Sequence, residues 1–164
     1  RRKANVADVD EIRNISVKLS AALKSDRAKR VAINTVLAVH KKRIFDQGLD
    51  AGGAVIGTYS TEPIDIPPRK QARNTGKRHF AGGYAEYKTA IGKNPGYVNL
   101  QNFGQMMADY GLIVNGQDYG LGYNNSHNYD KSIWLQDKYK KEIFHHSQSE
   151  IDLLMNVLMF ELNK

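Results

Sequence analysis

Apolar residues first recur at Val6, Val9, Ile12, Ile15, Leu19 and Leu23. Spacings of three and four are what one stripe of an amphipathic helix requires, so residues 6 to 24 are expected to be helical. Ser25 and Asp26 are both suited to cap a second helix, on which Ile33, Leu37, His40 and Ile44 continue the pattern until Gly48 offers a stop. Lys41, Lys42 and Arg43 then fall where the helix dipole favours cations. One bent helix and a helix pair both fit.

Beyond Gly48 the period changes. Asp50 to Gly53 reads as a turn, and AVIGTYS (54 to 60) reads as a short strand. Residues 61 to 80 hold three of the four prolines and suggest an extended arm or long loop. A short helix is expected from Tyr84 to Ile91, closed by Gly92 and the Asn94-Pro95-Gly96 turn, with a helical turn at 102 to 109. Asn115-Gly116 between two strand candidates is a hairpin signal. Ile133 to Ile143 reads as helical or irregular. Ser147 and Glu150 have capping-box spacing ahead of a last helix carrying Ile151, Leu154, Leu158 and Leu162.

Composition narrows the chemistry. A chain of 164 residues with 41% hydrophobic residues is long enough to bury a core as a single domain. Without cysteine there are no disulfides, thiolate metal sites or cysteine nucleophiles, as expected of a reducing compartment. No apolar run approaches the roughly 20 residues needed to cross a bilayer, and RRKANVADVDEI has no apolar segment after its basic start, so a soluble protein is expected. The net charge of +7 favours polyanions or acidic proteins as partners. Its densest part is PPRKQARNTGKRHF (67 to 80), where Arg69, Lys70, Arg73, Lys77, Arg78 and His79 occur without an acid. Arg69, Lys70, Arg73, Lys77 and Arg78 are the candidate partner- or DNA-contacting residues.

Other constellations weigh less. GLDAGG lacks the spacing of a phosphate loop and its strand-to-helix setting, so it reads as a turn. His145 and His146 are adjacent, and both imidazoles cannot readily face one metal. His40 sits on an apolar helix face, the ordinary place for a hydrogen-bonded core histidine. Asp46 and Asp50 lack the ligand series of a calcium loop. Phe80, Tyr84 and Tyr87 suit base stacking beside the basic cluster, but their spacing equally suits anchoring the arm to a core. No acid, base and nucleophile converge in sequence, and a hydrolase built from His79 with Asp109 or Asp118 has nothing to fix their proximity. Neither a catalytic residue nor a cofactor or metal site is expected.

In order, the motifs RIF (43 to 45), DAGG (50 to 53), AVIGTYS (54 to 60), LQNFGQMM (100 to 107), DYGLGYNN (118 to 125) and the ending KYKKEIFHHSQSEIDLLMNVLMFELNK resemble the tail-completion and neck proteins of tailed bacteriophages. The likeness covers most of residues 40 to 164. Phe103 and Met106 or Met107 depart from it, standing where the family places a hydroxyl and a leucine. The resemblance implies an α+β fold: a long N-terminal helix and a C-terminal helix packed on a small, mostly antiparallel sheet, with an arm inserted at about 61 to 96. It further implies a non-catalytic virion protein that assembles in the host cytoplasm into a homo-oligomeric ring. Such a head-to-tail connector has portal, neck or tail proteins as neighbours, packaged DNA as a non-specific contact, and no membrane. A basic nucleic-acid-binding module is the alternative.

Overall fold

The computed structural model describes residues 24 to 66 and 78 to 164. The helix expected over 6 to 24 therefore falls almost wholly outside the described residues, as do Arg69, Lys70, Arg73 and Lys77 of the basic arm. The fold is α+β, with five α-helices and two small antiparallel sheets among the described residues. Two compact units are formed, the first from residues 24 to 40, 112 to 122 and 146 to 164, the second from 41 to 66, 78 to 111 and 123 to 145.

In the first unit, helix α1 (Asp26–Lys41) begins where Ser25 Oγ accepts from the Ala28 amide at 3.3 Å. Its inward stripe is Ala28, Ala32, Val36 and His40 at strict i, i+4 spacing, not the stripe centred on Ile33 and Leu37, which are only half-buried. Helix α5 (Gln148–Leu162) explains the offset. Leu158, flanked by Leu154 and Val157, packs on Ala28 and Ala32, and alanine is the side chain that lets two helix backbones approach closely. The capping box at the start of α5 is complete: Ser147 Oγ accepts from the Glu150 amide, and Glu150 Oε2 accepts from the Ser147 amide at 2.9 Å. Ile151, expected on the inward stripe, is exposed instead, because Glu150 takes the buried position beside it. The Asn115-Gly116 signal yields the expected hairpin of β3 (Tyr110–Asn115) and β4 (Asp118–Tyr123), with Gly116 at φ +60°. Strand β4 adds Tyr119 to this unit. Lys29 Nζ lies 4.5 Å from the centre of its ring, and a hydrogen bond from Tyr119, with help from Lys29, holds the Asp26 carboxyl below its usual range.

The second unit opens with a π-turn, Lys42–Asp46, whose widened hydrogen bonding is seen in Gln47 N donating to Lys42 O at 2.9 Å. A five-residue turn lets three successive side chains, Arg43, Ile44 and Phe45, all be buried. Arg43, read in sequence as a cation at a helix C-terminus, is thus an interior residue. The turn at Asp50 to Gly53 forms as expected, with Asp50 Oδ1 accepting from Ala54 N at 2.9 Å. AVIGTYS does not become a strand. It makes one bridge, Leu49 to Val55, and scattered backbone hydrogen bonds, among them Ile56 N to Gly48 O and Val98 N to Gly57 O, with no ladder along a neighbouring strand among the described residues.

Strands β1 (Ile64–Asp65) and β2 (His79–Phe80) pair antiparallel within the stretch read as a loop. Helix α2 (Gly83–Ala90) follows and ends before Gly92 at φ +70°. The left-handed Gly104 delays helix α3 (Gln105–Asp109) relative to its expected start. Helix α4 (Ser126–Tyr139) starts seven residues before the expected Ile133, because Asn125 caps it by accepting from His127 N at 2.9 Å. Among the described residues no helix is long and apolar enough to cross a membrane.

Candidate functional site

Alternation in the β1–β2 ribbon places Ile64 opposite Phe80 on one face and Asp65 opposite His79 on the other. The apolar face is buried. Ile66, Phe80 and Tyr87 form a core cluster with Ile64, Tyr84, Ala90 and Ile91 packed against it, and the Phe80 and Tyr87 rings meet edge-on at 5.5 Å. The aromatics after the basic cluster therefore anchor the ribbon, with Phe80 and Tyr87 fully buried. Burial, reinforced by Tyr87 and Tyr59, pushes the Tyr84 hydroxyl up to about 12, so it stays protonated.

On the exposed face His79 Nδ1 lies 3.1 Å from Asp65 Oδ1. That pairing gives His79 a partner other than the Asp109 or Asp118 of a hydrolase; Asp109 Oδ2 instead accepts from Asn125 N and from Asn128 Nδ2. Arg78 extends the ribbon. Its carbonyl accepts from Ile66 N at 2.9 Å, and its Nε donates back to Ile66 O at 3.3 Å while the residue remains exposed. Of the five candidate contact cations, Arg78 is the one within the described residues. The ribbon's register means that the chain leaves at Ile66 and returns at Arg78 as hydrogen-bonded neighbours. The basic segment between them is tethered at both ends to one buried cluster.

Lys88 is an ionisable group that sequence reading missed. It is buried beneath the ribbon cluster, donates to Gln101 O, and lies 4.9 Å from the centre of the Tyr59 ring. Burial, aided by the nearby Lys93 charge, lowers its amine to about 8. A lysine directly followed by threonine in a polar stretch carries no local sign of such burial.

Arg43 was likewise unforeseen. Its Nη1 donates to Leu49 O at 3.0 Å and Ile143 O at 3.2 Å, and its Nη2 to His145 O at 2.8 Å. One planar guanidinium thereby holds the loop after the π-turn against the segment leading away from α4. Asp50 adds a second tie there. Burial works to raise its carboxyl, but the Ala54 amide and the Lys141 ammonium, 3.1 Å away, outweigh burial and hold it below the usual range.

Exposed apolar side chains complete the surface. On α4, Tyr129 is 55% exposed, Ile133 50% and Trp134 56%. Positions 129 and 133 stand one above the other at i, i+4, while 134 projects about 100° further round the helix, where Lys138 Nζ lies 4.9 Å from the centre of its ring.

In the first unit, His40 behaves as expected of a core histidine: its Nδ1 donates to Glu150 Oε2 at 3.0 Å. His146, read in sequence only as a neighbour of His145, comes near this pair: its Nδ1 lies 3.8 Å from the same Glu150 oxygen, and its ring centre is 5.1 Å from that of His40.

No family model, curated protein or solved structure matches the chain.

Proposed function

We propose that this protein is a non-catalytic structural subunit of a phage head-to-tail connector or tail-completion ring. The motif order from RIF to the capped last helix supports the family. The outward face of α4 is the structural observation that carries a self-assembling role. A helix that leaves Tyr129, Ile133 and Trp134 about half in water forgoes part of the roughly 1.5 to 3 kcal/mol that full burial of each large side chain would supply. Large exposed apolar side chains grouped on one helix suit a contact surface. In a closed ring the partner for such a face is a different face of an identical subunit, so the contact repeats until the ring shuts.

Replacing Ile133 and Trp134 together by glutamate should leave the monomer folded, since both side chains are already exposed, and should abolish higher oligomers in native mass spectrometry. A wild-type chain that stays monomeric at high concentration, or a double variant that assembles like wild type, would overturn the reading.

The tethered basic segment serves docking in this scheme. An acidic neighbouring protein is the better partner than DNA, because a tight grip on phosphate would oppose DNA passage through a conduit. With Arg69, Lys70, Arg73, Lys77 and Arg78 all changed to glutamine, particle incorporation should fail while DNA affinity stays unchanged. The opposite result, normal incorporation with a salt slope reduced by roughly 0.9 for each phosphate no longer neutralised, would favour the nucleic-acid role.

A further inference from the structure

We propose that His40, His146 and Glu150 form a binding site for a first-row divalent cation of the zinc class, which joins the C-terminal end of α1 to the N-terminal end of α5. Two ligand atoms each about 2.0 to 2.1 Å from a tetrahedral ion are about 3.4 Å apart. The two separations from Glu150 Oε2, 3.0 Å to His40 Nδ1 and 3.8 Å to His146 Nδ1, straddle that value. Ligand atoms of all three residues lie within 4.8 Å of one another. Shifts of about 0.4 Å bring the two Glu150 separations to that value, and rotation of the half-exposed His146 side chain closes the remaining imidazole pair, which starts no more than 4.8 Å apart.

Local structure holds the ligands in this relation. Position 40 is the last buried place on the α1 stripe, one residue before the end of the helix. His146 immediately precedes the N-cap Ser147, and Glu150 is the third residue of α5, so the two ligands meet at i, i+4 across the helix start. The capping box then acts as the outer support: the Ser147 amide grips Glu150 Oε2 at 2.9 Å and fixes the carboxylate's direction. His40 and Glu150 are fully buried, whereas His146 is partly open and supplies a route for the ion.

Space and chemistry agree with that assignment. A cleft of about 100 Å³ adjoins the cluster, lined by His146 and Glu150 together with Ile33, Val36, Leu121 and Leu154. It leaves room for a water or another small ligand in a fourth position. Two imidazoles and one carboxylate select zinc, nickel or copper over calcium or magnesium, which take oxygen sets. Binding at His40 Nδ1 requires the lone pair that a proton now occupies. The neutral ring meets this by carrying its proton on Nε2 instead, with no change in charge.

The test uses the full chain stripped with a chelator and titrated with Co²⁺, then with Zn²⁺ in competition. One equivalent of Co²⁺ should bind and give the intense visible absorption of a four-coordinate site, and Zn²⁺ should displace it. Even outer partners of metal ligands are worth roughly 10- to 100-fold in affinity, so His146→Ala should lose at least that much. His145→Ala should bind as wild type. Because His146 is exposed, its removal leaves the fold intact, whereas Glu150→Gln also weakens a cap and is interpreted only alongside circular dichroism. Absence of Co²⁺ binding to the wild type, unchanged binding by His146→Ala, or an equal loss in His145→Ala would each overturn the site.

Discussion

Replacing Arg43 by methionine should destabilise the second unit by about 3 to 5 kcal/mol, because it removes the donor to three backbone carbonyls at once and leaves a fully apolar stem in their midst. Each charge-assisted hydrogen bond contributes roughly 1.5 to 3 kcal/mol, and water entering the gap returns part of the sum. Set against a typical total stability of about 5 to 15 kcal/mol, the variant should unfold at a much lower urea midpoint. Arg43→Lys should recover only a fraction, since one ammonium cannot fork between carbonyls that a planar guanidinium reaches together. A midpoint shift worth less than about 1 kcal/mol would show that these carbonyls find other donors.

Gly83→Ala should be of similar severity for a different reason. At φ +68° a β-carbon would stand 2.5 Å from both Ser60 O and Glu62 O and 2.6 Å from the Thr61 carbonyl carbon. All three atoms belong to backbone, so no rotamer change relieves the contact, and residues 60 to 62 must move. Left-handed strain and overpacking together should cost about 3 to 5 kcal/mol. The neighbouring glycine supplies the control. A β-carbon at Gly82, at an ordinary φ of −86°, meets Glu86 Cβ at 3.2 Å and Oε2 at 3.3 Å, which a shift of a few tenths of an ångström relieves, so Gly82→Ala should cost only about 1 kcal/mol. Equal urea midpoints for the two variants would contradict the proposed packing of Gly83.

These two residues mark the boundary between local and distant information. Signals that act within a few residues were readable in the chain: the Asn115-Gly116 hairpin, the Ser147 and Glu150 capping box, the turn at Asp50 and the stop at Gly92. What was misread depends on partners far away in sequence. The inward stripe of α1 is set by the closeness of Leu158, so alanines, ordinary in any helix, outrank Ile33 and Leu37. Ile151 lies outward because Glu150 is needed inside by His40, 110 positions earlier. The π-turn has no periodic signature, and it is what turns Arg43 inward. The candidate contact site was visible as a run of charge, but its anchoring was not: two-residue strands fall below what alternation can reveal, and their pairing depends on the cluster around Tyr87.

The β1–β2 ribbon has a further consequence, in how much change its intervening segment tolerates. With Ile66 and Arg78 already held together by hydrogen bonds, the free energy of closing the span between them rises only with the logarithm of its length. Doubling that span adds only about 0.6 kcal/mol. Ile64, Phe80 and Tyr87, which secure the two ends, lie outside that span. Selection can therefore act on the composition and length of this segment, while the residues that secure its ends stay under a separate constraint. The same separation makes it a natural position for grafting a foreign peptide onto the protein.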